Sequence, residues 1–234
     1  MISMIVRQPY DFDAILAWLA ARAIPGVERI EDGVYIRGDV RVWREGDEVR
    51  TTGAEARVRR LFDLDFDPAP MHALFARDRM LAPLLRKRPG VRVPGAWDPF
   101  ELAVRAIVGQ QVSVAGARTI LGRIAEAHGF DPAVLAEVTL AGMPRKRAET
   151  IQRLARAVAD REVDLFTSDL TELPGIGPWT ANYIAMRLGD RDAFPAGDLI
   201  LRRHAGNLSE RELLRKGERW RPYRAYAAML LWMG

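Results

Sequence analysis

Hydrophobic and polar residues alternate in several short stretches of the first 52 residues. Successive side chains of a β-strand point to opposite faces, so this alternation is typical of strands that are buried on one side. The pattern predicts four strands, over 3–7, 33–37, 40–44 and 48–52. The sequence Glu45-Gly46-Asp47 between the last two favours a turn, and we therefore expect antiparallel hairpins.

The apolar residues change to helical spacing after the first strand and again after the last. This spacing predicts helices over 13–23 and 53–62. Beyond residue 67 the strand pattern ends and helical segments follow one another to the C-terminus. The clearest predicted helix spans 99–109 and follows the capping residue Asp98. A second extends from Ser113 to about residue 128, and a third begins at Pro144.

These elements predict an α+β N-terminal domain over 1–67 and an all-α domain over 98–234. A helical segment and a linker occupy 68–97, where prolines are frequent and the stretch RPGVRVPGAW lacks either periodicity.

Composition narrows the function classes. The chain has no cysteine, which excludes disulfides, a catalytic thiol and cysteine-ligated metal clusters. The three histidines are far apart, so we predict no metal site. No apolar run approaches the roughly 20 residues that span a bilayer, and we expect a cytoplasmic monomer with no membrane contact.

The basic residues suit a polyanionic partner. Arginine dominates the 35 Lys and Arg residues, and its planar guanidinium binds phosphate with two hydrogen bonds. The segment 199–234 carries eight of them against three glutamates, and Arg145, Lys146 and Arg147 form a second cluster. Both clusters favour nucleic acid, although a solvated surface has the same composition.

A glycine hairpin follows Leu170 in the sequence LTELPGIGPWTANY. Leu170 and Leu173 are expected to close one helix, and Pro178 suits the first turn of the next. Gly175 and Gly177 allow positive φ and leave room for a phosphate beside the N–H groups of the second helix. Such a site binds DNA without reading its sequence. The simpler alternative is a helix end followed by a new helix.

The stretch LPGIGPWTAN, followed by FPAGD at 194–198, resembles the helix-hairpin-helix glycosylase superfamily. The order of further segments, including RAIVGQ at 105–110 and GMPRKRA at 142–148, is similar to the AlkA group of 3-methyladenine DNA glycosylases. The resemblance implies a TATA-binding-protein-like antiparallel sheet with helices, and then an all-α helix-hairpin-helix glycosylase domain. It also implies an enzyme that flips alkylated bases out of double-stranded DNA.

Asp198 stands at the head of a predicted helix, where an aspartate is ordinarily a cap. The resemblance implies that it is the catalytic carboxylate, which stabilises positive charge on the deoxyribose as the base leaves. The resemblance also implies a group of DNA-binding residues, namely Gly175, Ile176, Gly177, Thr180, Gln111 and Arg145. No cofactor is implied except a monovalent cation held by carbonyls of the hairpin.

Trp179 occupies the position where strand-nicking relatives carry a lysine nucleophile, so we predict hydrolysis by water alone. An indole also attracts an electron-poor alkylated base. Tyr183, Trp232 and Trp18 complete the predicted base pocket, with ordinary core packing as the alternative for each.

Two positions depart from the best-known relative. Gln111 replaces a leucine that fills the gap left by the flipped base, and Gly197 replaces a second aspartate. Two other functions stay open at this point. One is a glycosylase for oxidised bases, and the other is a non-catalytic helix-hairpin-helix DNA-binding module.

Overall fold

A computed structural model describes residues 1–234. Its N-terminal part contains one antiparallel sheet of five strands in the order β1-β5-β4-β3-β2. The strands are β1 Ile2–Ile5, β2 Arg29–Glu31, β3 Val34–Arg37, β4 Val40–Glu45 and β5 Glu48–Thr51. The four predicted strands are confirmed. Strands β3, β4 and β5 form the expected antiparallel hairpins, whereas β1 pairs with β5. Strand β2 was missed because its three residues are too few to show a period.

Two helices cover one face of this sheet, α1 Phe12–Arg22 and α2 Glu55–Leu61. Both were predicted, and apolar residues from the helices and from the inner face of the sheet form one core. The Phe12 and Phe62 rings stack there with centroids 5.3 Å apart, and Tyr35 meets Phe62 edge-on. The sheet is thereby fixed against the helix whose far end carries Trp18 and Arg22.

The rest of the chain is helical. The helices are α3 Ala69–Phe75, α4 Leu81–Lys87, α5 Pro99–Val108, α6 Val114–His128, α7 Pro132–Leu135, α8 Arg145–Ala159, α9 Pro178–Leu188, α10 Leu199–His204, α11 Glu210–Gly217 and α12 Arg224–Trp232. Short 3-10 turns occupy Leu170–Glu172 and Glu218–Trp220. No helix combines the length and the apolar composition needed to cross a membrane.

The predicted N-terminal caps of α5 and α6 are confirmed. Asp98 accepts a hydrogen bond from the Glu101 N–H (2.9 Å), and Ser113 accepts one from Gly116 (3.1 Å). The expectation that Leu170 and Leu173 close a helix is wrong, since only a single 3-10 turn forms there. Asp169 accepts from both the N–H and the hydroxyl of Thr171, and this side-chain bonding competes with a longer helix.

The helices share two cores. One joins α5, α6, α8 and α9, and the other joins α3 and α4 with α10, α11 and α12. After the sheet, the chain therefore first enters the core that it shares with its C-terminal helices. Only then does it enter the core formed by α5, α6, α8 and α9.

The segment 88–97 has no helix or strand, as predicted for a linker, but it is largely buried. The Gly95 N–H donates to Leu61 (2.9 Å), and a Cβ on Gly95 would lie 2.1 Å from the Arg60 carbonyl oxygen. The Arg187 guanidinium of α9 donates to the carbonyls of Pro94 and Gly95. This segment thus ties the sheet to the helices by close backbone contact.

A charge cluster ties the sheet to α5. Arg37 of β3 pairs with Glu28 and Glu101, and Arg105 pairs with the same two glutamates at 2.7 and 2.6 Å. All four side chains are at most 18% exposed. Two guanidiniums and two carboxylates balance, which removes the cost of an unpaired buried charge.

Candidate active site

A cavity of about 430 Å³ lies between α1, α5, α6, α9 and the start of α10. Its lining includes the five residues predicted for the base pocket and its chemistry, namely Trp18, Trp179, Tyr183, Asp198 and Trp232. The exposed side chains of Val114 and Ile200 mark its open edge. Residues that are distant in sequence therefore meet at one concave site.

The Asp198 carboxylate is held by four donors. Its Oδ1 accepts from the N–H groups of Ile200 (2.8 Å) and Leu201 (3.0 Å) and from the Trp232 indole (3.0 Å). Its Oδ2 accepts only from the Trp179 indole (3.1 Å). Asp198 is thus both the cap of α10 and a lining residue of the cavity. Because Oδ1 already has three donors, Oδ2 is the oxygen with capacity for a further partner.

The loop before Asp198 is fixed to α9. Phe194 is 3% exposed, and its N–H donates to the Asn182 side chain (3.0 Å). Within the loop, the Asp198 N–H donates to the Pro195 carbonyl (2.9 Å). A Cβ on Gly197 would lie 3.3 Å from the Glu210 carboxylate, so α11 brings an acidic group to this loop.

Four aromatic side chains form the walls. Trp179 and Tyr183 lie one turn apart on α9 and stack with centroids 5.4 Å apart. Trp18 meets Trp232 at 5.8 Å, and Trp232 meets Tyr183 at 6.2 Å. All four are partly exposed rather than fully buried, as lining residues of an open cavity are.

Arginines in the cavity were missed by the sequence reasoning. The Arg22 guanidinium lies 3.4 Å from the centre of the Trp18 ring, and Arg187 donates to the Tyr183 hydroxyl (2.8 Å). Neither arginine pairs with a carboxylate. A signal existed in the sequence, because each arginine stands four residues after its aromatic partner and so on the same helix face.

These charges change the titration of their neighbours. Burial lowers the pKa of the Arg22 guanidinium. Burial acts to raise the pKa of Tyr183, but Arg187 and Arg22 outweigh it and hold that pKa below its ordinary value. The Tyr183 oxygen accepts from Arg187, so its own proton is available to a group in the cavity.

The glycine hairpin lies beside this cavity at the start of α9. Gly175 has φ +98°, as expected, and a Cβ there would lie 2.0 Å from the Thr150 hydroxyl. The expectation of positive φ is wrong for Gly177, which caps α9 with φ −89° and faces open space. Ile176 and Thr180 are 3% and 2% exposed, and the Ile176 N–H already donates to the Leu173 carbonyl (3.0 Å).

The other two predicted DNA-binding residues are exposed. Gln111 lies in the loop between α5 and α6 with φ +54°. Arg145 begins α8 with a side chain 92% exposed and pairs with Glu149 at 2.8 Å. An exposed pair of this kind is worth little, so Arg145 is free to turn to another anion. No group of three or more His, Asp or Glu side chains is placed to hold a metal ion.

Known proteins are similar to this chain in sequence and in fold. The AlkA N-terminal domain family matches residues 1–44 and 39–98. The DNA-3-methyladenine glycosylase 2 of Escherichia coli is 34% identical over 97% of this chain and 94% of its own length. The chain belongs to the AlkA family.

A further AlkA relative, from Mycobacterium tuberculosis, is named a probable bifunctional transcriptional activator/DNA repair enzyme. It is 38% identical over 97% of this chain and 55% of its own length, so the chain spans about half of that relative. Among solved structures, a 3-methyladenine DNA-glycosylase from Archaeoglobus fulgidus superposes with a TM-score of 0.85 at 19% identity. The superposition covers 100% of this chain and 97% of that one, so the two proteins share a fold over both parts of the chain.

Proposed function

We propose that the protein is a monofunctional DNA glycosylase of base excision repair. It hydrolyses the N-glycosidic bond of alkylated bases, of the 3-methyladenine and 7-methylguanine type, in double-stranded DNA. One observation carries the proposal: four donors hold Asp198 at a cavity walled by aromatic side chains. The names of the AlkA relatives support the same activity.

Asp198 acts electrostatically on the sugar. The glycosidic bond is inaccessible while the base is stacked, so the nucleotide rotates out of the duplex and the base enters the cavity. Dissociation of the base builds positive charge on the deoxyribose, and a fixed anion nearby lowers that barrier. Oδ2 of Asp198 serves this purpose, because Oδ1 is engaged by α10 and Trp232.

The reaction ends with hydrolysis. Cleavage of the DNA strand by a glycosylase needs an amine that forms a Schiff base with the sugar. No lysine lines the cavity, and Trp179 stands at the position in question. The product is therefore an abasic site in an intact strand.

Binding uses backbone phosphates on one side of the cavity. The hairpin of Gly175 to Gly177 and the N–H groups of α9 grip a phosphate, and Arg145 contacts another. Gln111 fills the gap that the flipped base leaves. The protein acts as a monomer, and its five-stranded sheet is of the TATA-binding-protein kind.

The test is Asp198→Asn with methylated duplex DNA, measured by chromatography of the released bases. Asparagine still accepts the backbone bonds of α10, so the change removes the charge and keeps the cap. We expect release to fall by about 100-fold or more while DNA binding is retained. A matched control is Asp131→Asn, which changes the same kind of cap on α7, bonded to Ala133 (2.8 Å) and Val134 (3.4 Å).

The same assay separates the other functions. Undiminished release by Asp198→Asn would remove that residue from its role. Strand breaks that appear without heat or alkali would contradict hydrolysis and favour a glycosylase/lyase for oxidised bases. If wild-type protein binds the DNA and releases no modified base, the non-catalytic binding module is the correct function.

A further inference from the structure

The loop that carries Gln111 is bonded to the glycine hairpin by the preceding residue. The Gln110 Nε2 donates to the Thr180 hydroxyl (2.8 Å) and to the Gly175 carbonyl (3.2 Å). A carbonyl oxygen only accepts, so the nitrogen of the Gln110 amide must be the atom that faces the hairpin. Both hydrogens of that nitrogen are thereby used on the hairpin and on α9.

The first turns of α8 hold the same two segments from behind. The Arg147 guanidinium donates to the backbone carbonyl of Gln110, and the Thr150 hydroxyl lies 3.4 Å from the backbone carbonyl of Pro174. Thr150 also fills the space in which a Cβ of Gly175 would sit. The α5–α6 loop, the hairpin and α8 therefore meet at one point, and Gln110 is the side chain that joins the first two.

Gln111 is left exposed by this arrangement. The backbone of Gln111 has φ +54°, a conformation that residues other than glycine rarely adopt. Contacts with neighbouring residues must therefore stabilise it. The hydrogen bonds of Gln110, one residue earlier, supply such a constraint.

We propose that Gln110 is a positioning residue that sets the distance between the phosphate-binding hairpin and Gln111. When the hairpin binds the phosphate backbone of the DNA, Gln111 is then placed beside the nucleotide that leaves the stack. Gln110 itself does not contact the DNA. The inference rests on the proposed function, because it assumes that the hairpin binds phosphate and that Gln111 enters the duplex.

The test is Gln110→Glu, which keeps the size of the side chain and replaces its donors by an oxygen that repels the Gly175 carbonyl. The matched control is Gln152→Glu, since the Gln152 Nε2 also donates to a backbone carbonyl, that of Val138 (2.8 Å), away from the hairpin. Single-turnover release of one 7-methylguanine is compared between a duplex and the same strand alone, where no gap needs filling.

We expect Gln110→Glu to slow release from the duplex by about tenfold and to change release from the single strand by less than about twofold. Gln152→Glu is expected to match wild type on both substrates. Equal losses on both substrates, or no loss, would overturn the proposal.

A second readout does not depend on excision. A duplex carries 2-aminopurine opposite a tetrahydrofuran abasic analogue, and its fluorescence reports insertion of a side chain into the gap. We expect wild type and Gln152→Glu to change this fluorescence at saturation, and Gln110→Glu to bind with a similar Kd and change it much less. If wild type releases no base, the proposed function fails, and this measurement still decides the role of Gln110. An identical response of Gln110→Glu and wild type would refute that role.

Discussion

At the scale of single residues, the cavity combines one fixed carboxylate with two arginines that lack an acidic partner. Asp198 lies near the open edge, whereas Arg187 is 6% exposed and lies deeper. Arg22 covers one face of Trp18 with its own guanidinium. Any base that stacks on this face of Trp18 competes with Arg22. A cationic alkylated base is also repelled by the positive charge of Arg22, whereas a neutral base with carbonyl acceptors can accept a hydrogen bond from it.

This difference predicts a change in selectivity for Arg22→Met. Methionine keeps an apolar contact with Trp18 and removes the positive charge. We expect the ratio of 7-methylguanine release to hypoxanthine release to rise by about three- to tenfold. Competition assays with both lesions on equal duplexes measure the ratio directly. An unchanged ratio would show that Arg22 does not select between the two charge types.

At the scale of elements, the two glycines of the hairpin have separate reasons to be glycine. Gly175 needs its positive φ and has no space for a Cβ, because Thr150 occupies that space. Gly177 has an ordinary backbone and open surroundings, so the folded protein alone does not require glycine there. Its lack of a side chain matters only if another molecule approaches.

The two alanine variants are expected to differ accordingly. Gly175→Ala should lower the free energy of unfolding by about 2 kcal/mol or more, since it adds backbone strain to a steric clash. Gly177→Ala should change that free energy by less than about 0.5 kcal/mol and still weaken DNA binding. Denaturant unfolding and a binding titration measure the two effects. Unimpaired DNA binding by Gly177→Ala would count against a phosphate at the hairpin.

The sequence predicts regular elements well where their periodic pattern is long enough. Four of the five sheet strands, α1, α5 and α6 follow from periodicity and from caps such as Asp98 and Ser113. Strand β2 and the 3-10 turn near Leu170 did not, because so short a segment carries no period and its neighbours decide its form.

The site was accessible from the sequence only in part. A resemblance named the aromatic residues and Asp198, and the structure brings them together. The donors on Asp198, the arginines and the bond from Gln110 to the hairpin depend on tertiary contacts between distant segments. No local pattern contains that information, except the spacing of four that links Arg22 to Trp18 and Arg187 to Tyr183.

At the scale of the whole molecule, Asp63 lies where the sheet domain meets the last helix. Its carboxylate accepts from the Tyr226 hydroxyl (2.9 Å) and from the Val93 N–H (3.2 Å). Burial raises the pKa of Asp63 to about 6, against the partial opposition of these hydrogen bonds and of Arg92. At a pH between the ordinary carboxyl pKa of 3.8 and this raised value, the Asp63 carboxyl therefore keeps its proton in the folded state and has lost it in the unfolded chain.

The sign of the resulting pH dependence follows from proton binding. Between pH 4 and 6 the folded state binds more protons than the unfolded state, so this carboxyl makes stability fall as the pH rises, by about 2 to 3 kcal/mol in total. Above pH 6 its contribution is constant. Asp63→Asn should remove this component, so the difference between the unfolding profiles of variant and wild type should vary across pH 4 to 6 only. Parallel profiles would exclude the assigned pKa.

The buried segment at 88–97 has a mechanical consequence. Backbone contacts at Gly95, and the bonds from Arg187 to the carbonyls beside it, leave the sheet and the helices no free hinge. On the proposed function, the protein then binds its DNA without closure of one part on the other, and we expect the double helix to bend to fit it. The free energy of unstacking the base is then set by how easily the DNA deforms. We therefore expect lesions in easily deformed base-pair steps to be reached first.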